Sequence, residues 1–164
     1  MSFAMGTKSG VLLRTLLNRA PDASAKIRGG RAIRGDAAFY QLPCGVLIRV
    51  EVSGLPEGEG DCSSRIFGFH IHEGGRCTGN QEDPYADAGS HYNPSGCPHP
   101  EHAGDLPPLF GNNGFAFAAF LTNRFRLEEV LGKTVIIHDS PDDFTSQPSG
   151  NSGKKIACGV IRRR

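Results

Sequence analysis

Hydrophobic and polar residues alternate in short runs along most of the chain after residue 22. In the clearest run, 45–53, Val46, Ile48, Val50 and Val52 occupy every second position, which predicts a strand with one buried face. Similar runs bounded by glycine and proline predict further strands at 25–29, 33–40, 65–72, 114–122, 133–138 and 155–161. With 124–131, which fits a strand or a helical turn, about eight strands result, as is typical of an all-β sandwich or barrel.

The first 22 residues follow a different pattern. Four leucines fall on one face of a short predicted helix: Leu12, Leu13, Leu16 and Leu17. Pro21 ends this helix, and its apolar face would dock on the domain or on a partner. Arg14 interrupts the apolar run that a secretory signal needs, although 23–25 resembles a cleavage site. We predict an N-terminal extension at 1–22, one domain at 23–164 and a cytoplasmic protein, with secretion as the alternative.

Composition narrows the range of partners. The chain has 164 residues, a formal net charge of +1 and 38% hydrophobic residues, which fits one domain and disfavours a strongly basic nucleic-acid binder. Basic residues outnumber acids by seven to one in the first 35 positions, and we assign them to solvated surface. No run approaches the roughly 18 apolar residues of a membrane span. We therefore predict neither nucleic acid nor membrane as a partner.

A His-x-His pair lies in the predicted strand 65–72. Side chains two positions apart point to the same face of a strand. His70 and His72 therefore form a pair of imidazoles suited to copper, zinc, iron or nickel. An exposed pair without a ligand role is the alternative that this short motif leaves open.

The irregular segment 73–113 holds a second cluster. His99, His102 and Asp105 follow one another at three-residue steps, and His91 lies eight residues upstream. Three imidazoles and a carboxylate suit a tetrahedral zinc site, whereas an ordinary polar loop is the alternative. A loop of this length is usually functional. With His138, the two clusters account for all six histidines of the chain.

Six short motifs carry a resemblance to a known family. They are GFHIHE (68–73), AGSHYNP (88–94), HAGDL (102–106), GKTVIIH (132–138), GNSG (150–153) and ACGVI (157–161). In this order, over about 23–161, they resemble the copper/zinc superoxide dismutases. The resemblance implies an eight-stranded Greek-key β-sandwich or barrel with long metal-binding loops, in agreement with the strand count.

The resemblance also implies site residues and a reaction. The implied ligands are His70, His72, His91 and His138 for copper, and His91, His99, His102 and Asp105 for zinc. His91 would bridge the metals and carry a proton, and Asp142 would link a copper ligand to a zinc ligand and fix their tautomers. The implied reaction is disproportionation of superoxide to oxygen and hydrogen peroxide at copper, with zinc holding His91 in place.

The chain departs from the family three positions before Cys158, where an anion-binding arginine is replaced by Lys155. Lysine keeps the charge but lacks the planar fork that holds an anion with two hydrogen bonds. We expect activity to be about tenfold lower, or about 1.4 kcal/mol in the barrier. Lys154 is the adjacent candidate, but strand alternation predicts that it points to the opposite face.

Two loops, 99–102 and 138–155, are shorter than is usual in the family. Shorter loops predict metal sites that are more open to solvent. The thiol of Cys97 lies close enough in sequence to compete as a zinc ligand. A copper site with an absent or altered zinc site is therefore the alternative to two complete sites.

The five cysteines leave at least one free thiol. By resemblance, Cys77 pairs with Cys158. Cys62 and Cys97 could pair, bind metal or stay reduced, and we expect Cys44 to be a small apolar residue on or near an inner face.

A non-catalytic copper-binding or copper-buffering protein is the alternative function, since the loss of arginine weakens anion handling. The implied roles of His91 and Asp142 favour the enzyme, because a buffer needs neither a bridging ligand nor a link between two sites. The expected partner is the superoxide anion, and a homodimer is one assembly that the resemblance allows.

Overall fold

The computed structural model describes residues 8–62 and 65–164, and these form an antiparallel β fold, as predicted. The elements in chain order are α1 (Lys8–Asn18), β1 (Ala23–Gly29), β2 (Ile33–Leu42), β3 (Gly45–Ser53), β4 (Ile66–Phe67), β5 (Phe69–His72), β6 (Leu109–Phe110), β7 (Ala116–Thr122), α2 (Leu127–Val130), β8 (Thr134–His138) and β9 (Lys155–Arg163). Single 3-10 turns occur at Gly60–Cys62 and Ala86–Ala88. No helix of the described residues is long and apolar enough to cross a membrane.

Seven strands form one curled sheet in the order β5-β8-β9-β1-β2-β3-β7. The last strand, β9, therefore lies inside the sheet, paired with β8 on one side and β1 on the other. A second sheet contains only β4 and β6. Because β4 leads directly into β5 and β6 contacts β7, this small sheet spans the gap between the two edge strands.

The core follows from the alternation along each strand. In β1, Ala25 and Ile27 are buried while the alternate residues Lys26 and Arg28 are exposed. The inward side chains form one continuous cluster across the sheet, with Phe39, Ile48, Phe67, Phe69, Leu109 and Ile137 among its fully buried members. Burial of each such large side chain contributes about 1.5–3 kcal/mol, so this cluster supplies the rigid frame on which the polar loops rest.

The N-terminal helix docks on the outside of the sheet. Leu12 and Leu16 pack on a small outer cluster consisting of Ala38, Tyr40, Leu42 and Leu47. Leu13 and Leu17 are 58% and 71% exposed, so only two of the four leucines dock on the domain. Adjacent helical residues are about 100° apart, and only the Leu12–Leu16 stripe faces the sheet. This contact buries Leu47 on the outward face of β3, which alternation alone assigns to the polar side.

Three segments differ from the sequence prediction. The segment predicted as one strand over 65–72 forms two strands, β4 and β5, which are separated at Gly68. The N–H of Gly68 donates to the carbonyl of Ser140, and its carbonyl accepts from the N–H of His138, both at 2.8 Å. Strand β6 lies inside the segment predicted to be irregular. The ambiguous segment 124–131 contains α2, whose start is fixed by the N–H of Arg126 donating to Glu129 at 2.6 Å.

The states of the cysteines agree in part with the prediction. Cys77 and Cys158 form a disulfide, which ties the long loop to β9. Cys97 is free, and Cys44 is free and exposed in the turn between β2 and β3. The expectation of an inner-face position for Cys44 is therefore wrong, because the chain reverses at this point and carries the residue outside the sheet. The side chain of Cys62 lies outside the described residues.

Removal of the disulfide should destabilise the fold. We expect Cys77→Ala with Cys158→Ala to lower the free energy of unfolding of the metal-free protein by about 4 kcal/mol, because the unfolded chain gains the freedom of a closed loop spanning 81 residues. Denaturant unfolding measures this change. The exposed Cys44→Ala variant is the control and should lie within about 0.5 kcal/mol of wild type. A loss below about 1 kcal/mol in the double variant would contradict the prediction.

Candidate metal centre

Strand β5 supplies the first two histidines of the site. Phe69 and Ile71 enter the core, so His70 and His72 point together to the opposite side of the strand. Both histidines are also buried, at 0% and 2% exposure, because the long loop 73–108 folds over that side. The pair predicted from sequence is therefore enclosed and not a pair of surface histidines.

The long loop returns to β5 and bonds to it directly. Isolated bridges join His72 to His91 and His70 to Asp105. Ile71 donates to the carbonyl of Gly104 and accepts from the N–H of Tyr92, both at 2.8 Å. A Cβ atom at Gly104 would lie 2.3 Å from the carbonyl oxygen of Ile71, so only glycine permits this approach. This contact brings the second cluster against the first.

The first group of converging ligand atoms, all within 4.8 Å of one another, belongs to His70, His72, His91 and His138. His72 donates from Nδ1 to the carbonyl of Gly89 at 2.8 Å, and His138 donates from Nδ1 to the carbonyl of Gly153 at 3.2 Å. Each therefore keeps its Nε2 lone pair free. These two Nε2 atoms face each other at 3.3 Å.

The second group, with the same convergence, belongs to His91, His99, His102 and Asp105. The Nδ1 atoms of its three imidazoles surround the carboxylate of Asp105, at 2.7 Å for His91, 2.9 Å for His99 and 3.3 Å for His102. His91 is the one residue shared by the two groups. The structure thus brings together all seven residues that the resemblance implies as ligands.

Unpartnered buried nitrogens show that this arrangement fits metal ions. Among the described residues, four ring nitrogens have no hydrogen-bond partner: His70 Nδ1, His91 Nε2, His99 Nδ1 and His102 Nδ1. The last two lie near the Asp105 carboxylate but form no hydrogen bond with it. A buried polar atom without a partner costs about 1–3 kcal/mol, so four in one place call for a ligand. Four imidazoles suit copper among the transition metals, and three imidazoles with a carboxylate suit tetrahedral zinc.

Asp142 joins the two groups. Its Oδ2 accepts from His70 Nε2 and its Oδ1 accepts from His99 Nε2, each at 2.8 Å, and Oδ1 also accepts from the N–H of Phe144. Both rings are thereby held with Nε2 protonated and Nδ1 free. Gly150 lies against this link at a φ of +67°, and a Cβ there would be 2.0 Å from Asp142 and 2.6 Å from His99.

The protonation states also favour metal binding. Burial lowers the pKa of His70 and of His72, and it lowers the pKa of His138 to about 3, so these imidazoles are neutral at pH 7. Burial opposes ionisation of Asp142, but hydrogen bonds from His70, Phe144 and His99 outweigh it and lower its pKa. The pKa of Asp105 is lowered in the same way, mainly by His91. Neutral imidazole and ionised carboxylate are the forms that bind metals.

A cavity of about 830 Å³ reaches the site from the surface, bordered by His72, His91 and His138. Lys154 and Lys155 both border it. Because Lys154 precedes β9, strand alternation does not govern its direction, and its orientation relative to Lys155 stays a prediction. Lys155 lies opposite His138 in the β8–β9 ladder.

The eight residues of the site, Asp142 included, are at most 8% exposed, so the shortened loops still cover them. The expectation that Cys97 competes as a zinc ligand is wrong. Among the described residues, Cys97 belongs to neither converging group; its backbone bonds instead to the side chain of Asn93.

Sequence reasoning missed the residues that fix the second group from outside. Arg124 donates from one nitrogen to the carbonyls of Pro100, His102 and Asp105 at 2.8–3.3 Å. Gln147 bonds to both the N–H and the carbonyl of His99. These side chains bind backbone atoms distant in sequence, and no local motif marks them.

Comparisons with known proteins agree with this geometry. A model of the copper/zinc superoxide dismutase family matches residues 33–161. The chain is 34% identical to Cu-Zn superoxide dismutase 2 of Aquifex aeolicus, over 94% of this chain and 98% of that protein. It is 34% identical to the Cu-Zn superoxide dismutase of Legionella pneumophila, over 93% and 94%, and to the extracellular Cu-Zn superoxide dismutase of Drosophila melanogaster, over 79% and 75%.

Asp142→Asn should weaken both groups at once. An amide presents one oxygen and one NH₂, so one of the two Nε2–H groups would face a donor. That ring would move its proton to Nδ1, the atom needed for metal, and the other ring would exchange a charged acceptor for a weaker neutral one. We expect about 10- to 100-fold weaker affinity for Cu²⁺ and Zn²⁺, measured by competition with chelators.

The control is Asp143→Asn. Asp143 is an exposed acid whose carboxylate, among the residues that the structure describes, bonds only to residues 145 and 146 of its own loop, so its replacement should leave both affinities unchanged. Affinities within threefold of wild type in Asp142→Asn would contradict the assigned role of this carboxylate.

Proposed function

This chain belongs to the copper/zinc superoxide dismutase family, and we propose that it disproportionates superoxide to oxygen and hydrogen peroxide at the paired groups. The observation that carries the proposal is the position of His91. Its Nδ1 faces Asp105 and the second group, its Nε2 has no hydrogen-bond partner in the described part of the chain, and the residue borders the cavity. A simple metal store needs no residue shared between two sites.

The assignment of ligands follows the two groups. We propose that copper is held by His70, His72, His91 and His138, and zinc by His91, His99, His102 and Asp105. Asp142 orients one imidazole of each set through the hydrogen bonds at 2.8 Å. The cofactors of the enzyme are thus copper and zinc, and both sites are complete in the residues of this chain.

When bound, copper supplies the one-electron oxidation and reduction that the reaction requires, and zinc supplies a fixed positive charge. The protein supplies positions for proton and anion. Disproportionation of two superoxide ions consumes two protons, and we propose that His91 Nε2 holds one while Asp105 keeps the ring in place. The surrounding burial excludes bulk water from the ring.

Lys155 is the residue that we propose to attract the substrate. Its ammonium borders the cavity, and its positive charge contributes to lowering the pKa of His138. A lysine draws an anion by charge but orients it less well than an arginine. The reduced rate expected from this replacement remains a prediction.

Assembly and location are also predictions. The exposed side chains of Phe110, Phe115 and Phe117 on and beside β6 and β7 support the proposed homodimer, since clustered apolar surface marks contact sites; a monomer in sedimentation at micromolar concentration would contradict it. We propose a cytoplasmic protein, because Arg14 interrupts the apolar run that a secretory signal needs. The disulfide and the relatives named extracellular support secretion as the alternative.

Activity of site variants tests the function. In copper- and zinc-loaded protein with metal content measured on the same sample, His138→Ala should reduce dismutation to the background of free copper. Lys155→Arg should raise it about tenfold, because the guanidinium adds a second hydrogen bond to the anion.

Lys154→Arg is the control for Lys155→Arg, since it places the same group at the neighbouring position on the cavity wall and should not raise the rate. Stoichiometric copper without activity, in both wild type and Lys155→Arg, would overturn the proposal and leave a copper-binding module.

A further inference from the structure

Lys155 does not project freely into the cavity. Its ammonium forms an ion pair with the carboxylate of Asp83 and donates to the carbonyl of Tyr85 at 3.3 Å. The Lys155 side chain is 15% exposed and that of Asp83 is 39% exposed. Two of the three N–H groups of the ammonium are therefore engaged by the loop that faces β9, and one is left for an anion.

Asp83 is itself fixed in a tight turn. Its Oδ1 accepts from the N–H of Tyr85 at 3.0 Å, and its own N–H donates to the side chain of Asn80 at 2.9 Å. Its carbonyl accepts from the N–H groups of Asn80 and Ala86. One carboxylate oxygen thus holds the turn and the other holds Lys155, so the ion pair has a defined geometry.

The remaining charges of the cavity do not favour an anion. Its wall carries three carboxylates, Glu73, Glu82 and Asp83, against the two ammonium groups of Lys154 and Lys155. A small monoanion therefore enters a cavity in which the positive charge nearest His138 is already paired. Coulomb attraction depends on the charge left unbalanced.

We propose that Asp83 is a positioning residue that holds the Lys155 ammonium and cancels its charge, and so limits how strongly the cavity attracts a small monoanion. The inference rests on the proposed function, in which that anion is superoxide. It also explains why lysine at 155 differs from arginine: a guanidinium has five N–H groups and could bind Asp83 and still grip an anion with two of them.

The test uses Asp83→Asn in copper- and zinc-loaded protein. Asparagine keeps an oxygen that can accept from Lys155 or Tyr85 but removes the negative charge. The probe is azide, a stable monoanion, titrated by the change in visible absorption of the bound copper. We expect about threefold tighter azide binding at low ionic strength, with the gain disappearing in about 0.5 M salt. The kcat/KM for superoxide should rise in parallel and fall more steeply with salt than in wild type.

Two further variants separate the ion pair from net charge. Glu82→Gln removes one negative charge from the same wall, but among the described residues the Glu82 side chain forms no ion pair or hydrogen bond, so its effect should be smaller. Asp83→Glu keeps the charge and should restore the affinity and salt dependence of wild type.

The proposal is overturned if Asp83→Asn matches wild type in azide affinity and salt dependence, or if Glu82→Gln gains as much as Asp83→Asn. Failure of the proposed function has a different signature: copper-loaded wild type without dismutation. In that case the azide titration still decides the role of Asp83, because it reports anion binding at copper without turnover.

Discussion

The two hydrogen bonds that Asp142 accepts are the interaction on which the centre depends. A buried imidazole has two nitrogens, and the one that carries the proton needs an acceptor before the other can offer a lone pair. Asp142 satisfies this need for His70 and His99 together, and backbone carbonyls satisfy it for His72 and His138. The hydrogen-bond acceptors around the histidines therefore determine which ring nitrogens can bind metal, and they matter as much as the histidines themselves.

The acceptors come from loops, and three of the six rings come from the sheet. Strands β5 and β8 place His70, His72 and His138 on a frame of buried aliphatic and aromatic residues. The loops that cover them lack a core of their own and are held by specific bonds: the Cys77–Cys158 bridge, the three-way contact of Arg124 and the pairing of Gln147 with His99. The strands thus fix the distances between the ligand atoms of these histidines, and the loops fix which nitrogen of each ring carries the proton.

Local pattern was sufficient for those parts of the molecule that depend on neighbours in sequence. The alternation in 45–53 predicts β3, and the spacing of His70 and His72 predicts a shared face. Local pattern could not predict features that depend on contacts between residues far apart in sequence. Leu47 is buried in an outer cluster on which α1 docks, and Cys44 is exposed in the turn between β2 and β3. Likewise, Asp83 and Lys155 are 72 positions apart, and nothing around either residue in sequence points to the other.

The position of β9 bears on how the protein is made. This strand, which contains residues 155–163, inserts between β8 and β1, so those two strands keep unpaired edges until it has left the ribosome. The last wall of the cavity and the partner of Cys77 arrive with it. Pairing between segments so far apart in sequence is slow. During synthesis the histidines therefore exist before the cavity that encloses them. A metal ion that they bind at that stage is selected without the geometry that the finished cavity imposes.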